Sequence, residues 1–340
     1  MTEPGDLNDP ELREHAVAAA RGDAPFDVLI TGARLADVAT GEVRAADIGI
    51  CGPLVASIHA PGSRDDAARS LDASGLIAAP GLIDSHMHVE SSMVTPETYA
   101  DAVLLRGVTT VVWDPHEFGN VVGMAGVDYA IDCAARSALR ILPLAPSCVP
   151  SAPGFETAGA DFSPDLVDAM MRRDGIAGLA EVMDMGAVIS GAARMRGIVD
   201  AGLRSGKMVC GHARSLSGAA LQAYAAAGIG SDHEITSDQD LLEKIRAGLT
   251  IELRGSHPYL LAGFAAVLQA LPQMPPTVTF CSDDAFPDDL LTMGGVDHML
   301  RQMIDHGLDP MRGLQAATLN AAIRLNRRDI GLIGPGRRAD

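Results

Sequence analysis

The chain has 340 residues with 44 acidic against 26 basic side chains, a formal net charge of -18. No basic patch offsets that charge, which argues against nucleic-acid phosphate as a partner, and no apolar run is long enough to cross a bilayer. A hydrophobic fraction of 47% with only 4% aromatics suits a core of Ala, Val, Leu and Ile, the filling of a parallel α/β barrel whose strands are buried on both faces.

The start, Met1-Thr2-Glu3-Pro4-Gly5-Asp6, is acidic and lacks an apolar h-region, so no secretory leader is expected. Residues 11–22 predict a short helix within an N-terminal extension over 1–25. Phe26–Ile30, Ala46–Ile50 and Leu54–Ile58 then read as strands of a small β-domain over 26–75. From residue 76 the pattern changes to strands alternating with helices. The strands expected are 76–83, Val108–Trp113, Leu139–Leu144, Ile176–Ala180, Met208–Cys210, Gly228–Gly230, Leu249–Leu253 and Val278–Phe280. Helical patterns cover Pro96–Leu105, Ala193–Arg204, Gly218–Ala226, Asp238–Ala247 and Tyr259–Leu271. This alternation predicts an α/β fold, a (β/α)8 TIM-like barrel over 76–330. Its chemistry belongs at the strand C-termini. Five scattered cysteines (Cys51, Cys133, Cys148, Cys210, Cys281) without a CxxC pair fit free thiols in a reducing cytoplasm.

The most informative segment is His86-Met87-His88, at the end of the first barrel strand. At a strand's period of two, both imidazoles point the same way. Ligand-type residues recur after other strands: Asp114-Pro115-His116-Glu117, Glu181, His212, Asp232-His233-Glu234 and Asp283-Asp284. His86, His88, Glu181, His212, His233 and Asp283 make a coherent N and O ligand set, suited to Zn, Mn or Fe rather than to an all-sulfur site. Asp184 and Glu234 read as solvated loop charges. Asp232 precedes His233, but adjacent strand residues face opposite ways, which favours a structural role. Arg254-Gly255-Ser256-His257 either contacts substrate at the barrel mouth or pairs Arg254 with a loop carboxylate.

This set resembles the amidohydrolase superfamily from about residue 26 onward. Within it, Asp84-Ser85-His86-Met87-His88-Val89-Glu90-Ser91-Ser92-Met93, Asp114-Pro115-His116-Glu117, Glu181-Val182-Met183 and Ser282-Asp283-Asp284 are similar to the bacterial, binuclear adenine deaminases. The resemblance implies two divalent ions, Mn or Fe first and Zn as a further candidate. His86, His88 and Asp283 would lie on one side, His212 and His233 on the other, with Glu181 where relatives often carry a bridging carboxylated lysine. It implies a cytoplasmic enzyme, expected to be a homo-oligomer, that replaces the exocyclic amine of adenine. A metal lowers the pKa of bound water towards ~7, and Asp283 is the candidate to carry the proton to the leaving amine. Glu117, Glu90 and Asp284 are candidates to protonate the ring, with Asp114, His116 and Arg254 further candidate substrate contacts. A cyclic-amide hydrolase of the dihydroorotase or hydantoinase kind, and an inactive metal-binding remnant, are the alternatives. Family members continue beyond the barrel, whereas Ile333-Gly334-Pro335-Gly336 opens a return to the small β-domain over 331–340. That domain is therefore expected to be incomplete, with an exposed sheet edge.

Overall fold

The structure, a computed structural model, describes residues 7–340. It divides into two compact units: Leu82–Asp309, and the residues up to Gly81 together with Pro310–Asp340.

In the second of these, β1 (Phe26–Asp37), β2 (Glu42–Cys51), β3 (Leu54–His59) and β4 (Ala67–Asp72) form a sheet in the order β3-β2-β1-β4, and β5 (Ile77–Ala78) also pairs with β1. A helix over Pro10–Arg21 starts with the Asp9 carboxylate accepting from Glu11 N–H and Pro10 at its first position. It stops at Gly22, whose φ of 88° suits glycine. Its Ala16 and Ala19 join Phe26, Leu29, Cys51 and Leu54 in one apolar cluster. The free edge expected on this sheet is partly covered. Val55 N–H donates to Arg337 O at 2.9 Å, and Gly336 and Ala339 N–H donate to Val55 O and Pro53 O.

The other unit contains β6 (Leu82–Met87), β7 (Val108–Trp113), β8 (Arg140–Ala145), β9 (Gly178–Val182), β10 (Met208–Gly211), β11 (Ser231–Asp232), β12 (Thr250–Arg254) and β13 (Val278–Cys281). They pair in parallel as β10-β9-β8-β7-β6 and as β11-β12-β13. Gly230 N–H donates to Val209 O at 3.0 Å, linking β10 to the approach of β11. A parallel bridge between Met87 and Asp283 joins β6 to the end of β13. The eight strands thus curl into the expected barrel. Helices over Pro96–Leu104, Pro164–Met171 and Asp238–Arg246 begin where Thr95, Ser163 and Ser237 side chains accept from the N–H three residues on.

Two strand readings are corrected. The single buried strand expected over 76–83 is broken after Ala78: Ile77–Ala78 pairs with β1, and the barrel strand starts at Leu82. Leu76 and Ile77 are exposed, so their apolar character misled. The strand expected at Gly228–Gly230 lies at Ser231–Asp232, paired with Thr250 and Ile251. Apolar Ile229 drew the expectation, while the strand itself buries polar residues. Among the described residues, no helix is long and apolar enough to cross a membrane.

Candidate metal centre

His86 lies within β6, Glu181 within β9, His212 directly after β10, His233 directly after β11, and Asp283 two residues past β13. Backbone pairing carries Asp283 to the histidines: its N–H donates to His86 O at 3.1 Å, and it accepts from His88 N–H at 3.4 Å. Asp283 adopts a φ of 59°, a left-handed conformation that Asp tolerates better than most side chains.

Glu181 is buried at the middle of the group. Its Oε1 lies 3.9 Å from His86 Nε2, 3.6 Å from His88 Nε2 and 3.4 Å from His116 Nδ1. Its Oε2 lies 2.6 Å from His212 Nδ1 and 3.3 Å from His233 Nε2. The two oxygens of one carboxylate therefore face two different sets of imidazoles. Asp283 Oδ1 is 3.5 Å from both His86 Nε2 and His88 Nε2. Its Oδ2 is 2.6 Å from Arg254 Nη1 and accepts from Ser256 Oγ at 3.2 Å.

These side chains fit a divalent cation. His86 is fully buried, yet neither ring nitrogen has a hydrogen-bond partner, and His233 Nδ1 also lacks one. Most of the nitrogen–oxygen separations are too long for good hydrogen bonds. All lie within about 0.5 Å of the spacing of about 3–3.4 Å between two ligands each roughly 2.1 Å from one ion. His88 Nδ1 sits 2.9 Å from Asp114 O; donation there leaves Nε2 free to bind metal. His86, His88 and Asp283 form one ligand-capable group, and His86, Glu181 and His233 another.

The charges are mutually set. Burial favours neutral Glu181, but the neighbouring His233 and His212 outweigh it and hold the carboxyl well below the usual range. Burial likewise opposes the Asp283 charge, and the neighbouring His86, His88 and His233 override it, again to well below the ordinary value. Burial lowers the basicity of His233, yet Glu181 pushes it up to about 9. Each charge in the cluster thus stabilises its opposite.

The remaining expected site residues differ in their surroundings. Asp114 and His116 join His88 and Glu181 in a further ligand-capable cluster, with Asp114 Oδ2 3.1 Å from His116 Nδ1. Glu117 lies 3.4 Å from His116 Nε2 and 3.5 Å from His88 Nδ1. Glu90 accepts from Trp113 Nε1 at 2.6 Å, and burial, followed by the Glu117 charge, pushes its pKa up to about 8. Arg254 is committed to protein carboxylates, with Nη1 2.5 Å from Glu234 Oε1 as well as on Asp283. Asp284 is exposed and accepts from Ser91 Oγ at 2.6 Å, outside the cluster.

Glu234 corrects a sequence reading: it is buried, paired with Arg254 and Arg214, and groups with His212 and His233. Apolar Ile235 beside it was the available signal. Asp184 caps a helix start by accepting from Ala187 N–H at 2.9 Å. Cys148, not singled out by sequence reasoning, is buried beside His116, and burial pushes its thiol up to about 12. It also lines a cavity of about 240 Å³ with His116, Glu117, Asn120, Val121, Ser151 and Met183. That volume is below the ~300–1,000 Å³ of drug-sized pockets and suits one small molecule.

Residues 77–340 match the model of the amidohydrolase family. The chain is 61% identical over 338 residues to "Adenine deaminase 2" of Rhizobium etli, covering 99% of this chain and 57% of that protein. It is 54% identical over 330 residues to an "Adenine deaminase" of Klebsiella pneumoniae, covering 97% of this chain and 55% of that protein. It thus spans a little over half the length of these curated relatives. Among solved structures, a Xaa-Pro dipeptidase with bound methionine superposes with a TM-score of 0.64 at 20% identity, over 92% of both chains. An N-acyl-D-glutamate deacylase of Bordetella bronchiseptica complexed with zinc gives a TM-score of 0.63 at 16% identity, over 93% and 89%. At such identities these two bear on the fold alone.

Proposed function

The chain belongs to the amidohydrolase family, and we propose that it hydrolyses adenine to hypoxanthine and ammonia with two divalent ions, Mn or Fe. The observation that carries the two-ion reading is Glu181, an unmodified carboxylate whose oxygens face separate histidine groups. The reading of adenine as substrate rests on identity of up to 61% with proteins named adenine deaminase over almost the whole chain. Five buried cysteines, scattered without a CxxC pair, suit a reducing cytoplasm.

His86, His88 and Asp283 would hold one ion, His212 and His233 the other, with Glu181 shared. When bound, such ions lower the pKa of water towards ~7 and stabilise charge in the transition state. The chain's own groups do the rest. Asp283 takes the proton of the attacking water and returns it to the amine as the C–N bond breaks. Arg254 and Ser256 hold its Oδ2 meanwhile. Glu117 borders the cavity and stands beside two histidines, a position from which it can protonate the ring nitrogen next to the reacting carbon. The proton of the C6 hydroxyl returns to Glu117 as the carbonyl forms, so adenine and water give hypoxanthine and ammonia with both carboxyl groups back in their starting states.

The test is ammonia release from adenine by Mn-reconstituted chain. E117Q should lower kcat by about 10²–10⁴-fold, the usual worth of a general acid, while two ions per chain are retained. Ring opening of hydantoin or dihydroorotate without ammonia release would replace adenine as the substrate.

A further inference from the structure

His212 and His233 approach the same oxygen of Glu181 from the ends of two different strands, so the spacing of those ends must be fixed. Asp232 lies between them, fully buried. Its Oδ1 accepts from Ala213 N–H at 2.7 Å and from Glu234 N–H at 3.0 Å. Those are the residues directly following His212 and His233. Its Oδ2 lies 2.7 Å from Nζ of Lys244, itself 0% exposed. Lys244 projects from the helix Asp238–Arg246 and reaches Asp240 Oδ1 at 2.9 Å and Glu234 O at 3.4 Å. Asp240 Oδ2 in turn accepts from Thr236 N–H and Oγ at 2.8 and 2.9 Å.

We propose that Asp232 is a positioning residue for the half of the metal centre built by His212 and His233, and that Lys244 is the counter-ion that keeps its carboxylate aimed at both loops. This rests on the two-ion reading. Asp232 and His233 side chains leave a strand on opposite faces, so Asp232 acts through backbone rather than by touching an imidazole. An ionised carboxylate makes shorter and stronger bonds to N–H than a neutral acceptor. Left unpaired, it would be costly to bury, which explains the lysine behind it. Partners that orient metal ligands typically control 10–100-fold in affinity.

Two double variants separate positioning from charge burial. D232N/K244M keeps an acceptor oxygen for both N–H groups, and D232L/K244M removes it; both eliminate the buried pair. Each is titrated with Mn²⁺ alone, following free Mn²⁺ by electron paramagnetic resonance. The wild type and D232N/K244M should bind two ions alike. D232L/K244M should lose 10–100-fold in affinity at one ion, with the other within twofold. Equal binding by the two doubles, or equal weakening of both ions in D232L/K244M, overturns the clamp. A wild-type chain that takes up no Mn²⁺ overturns the two-ion reading itself, and the clamp with it. Should D232L/K244M fail to fold, D232N carries the same one-ion expectation, because its amide cannot serve Lys244 and both N–H groups together. Two unweakened ions in D232N would then refute the proposal.

Discussion

Gly211, between Cys210 and His212, is where the barrel wall is tightest beside the metal centre. A Cβ there would lie 2.2 Å from the Ser231 carbonyl oxygen, 2.6 Å from Ile229 Cγ2 and 3.2 Å from the Tyr224 hydroxyl. The first contact is backbone, so a rotamer change cannot relieve it. Opening 2.2 Å to the 3.0 Å below which real Cβ contacts essentially never occur requires a shift of about 0.8 Å. That shift separates the ends of β10 and β11 and hence His212 from His233, whose ring centroids are 5.2 Å apart. Overpacking of this kind costs about 1–3 kcal/mol, and each kcal/mol lowers the melting temperature by about 2–4 °C in a unit of this size. G211A should therefore melt about 2–12 °C lower without metal and, since a misplacement near 1 Å can cost ~10²-fold in rate, lose most turnover. G186A is the control: the nearest atom to its added Cβ is 3.8 Å away, and its stability should stay within about 0.5 kcal/mol. Scanning calorimetry of metal-free protein and kcat of reconstituted protein decide the matter. A G211A protein that melts and turns over like the wild type refutes the argument from close approach.

Chelation should destabilise the chain by about 2.7 kcal/mol for each ion that had been present at 100 times its Kd; an unchanged melting temperature with excess EDTA would remove the metal reading. W113F deletes the indole N–H that meets Glu90 at 2.6 Å and hollows a fully buried site, and urea unfolding should show a loss of at least about 1–3 kcal/mol. In the small-sheet unit, His59 stacks on Phe26 with centroids 5.7 Å apart, and burial, its largest influence, lowers its pKa below 6.5. The unfolded chain then binds the proton more readily, so this stability contribution is present above about pH 6.5 and is lost as pH falls. H59Q should flatten that dependence in melting curves taken from pH 7 to 5, and an unaltered slope would count against it.

What could be read in advance, and what could not, follows from how each element is stabilised. Histidines and carboxylates at strand ends have few bland uses, so His86, His88, Glu181, His212, His233 and Asp283 were legible together although nearly two hundred residues separate the first from the last. Ala193–Arg204 and Gly218–Ala226 were legible to the residue because Gly or Ser lies within two residues of each end. β4, Ala67–Asp72, was not: it is mostly exposed where it pairs with β1, leaving no hydrophobic period to detect. An Asp-Pro step such as 114–115 favours a local turn, yet neither Asp114 oxygen has a hydrogen-bond partner. Its carboxylate instead faces His116, a relation set by long-range packing that no local pattern encodes.

The two residues of β11, Ser231 and Asp232, are polar and fully buried, the opposite of what periodicity seeks in a barrel strand, so the apolar signal falls three residues early, on Gly228–Gly230. A buried aspartate is tolerable there only because Lys244, twelve residues on and likewise buried, neutralises it while two backbone N–H groups fill its other oxygen. An apolar pair would fill the same space and often fold as stably, but it would offer Ala213 and Glu234 no acceptor. The place where hydrophobic patterning fails is therefore the place where two ligand-bearing loops must be held at a fixed separation, and the departure from a regular strand carries information about the site.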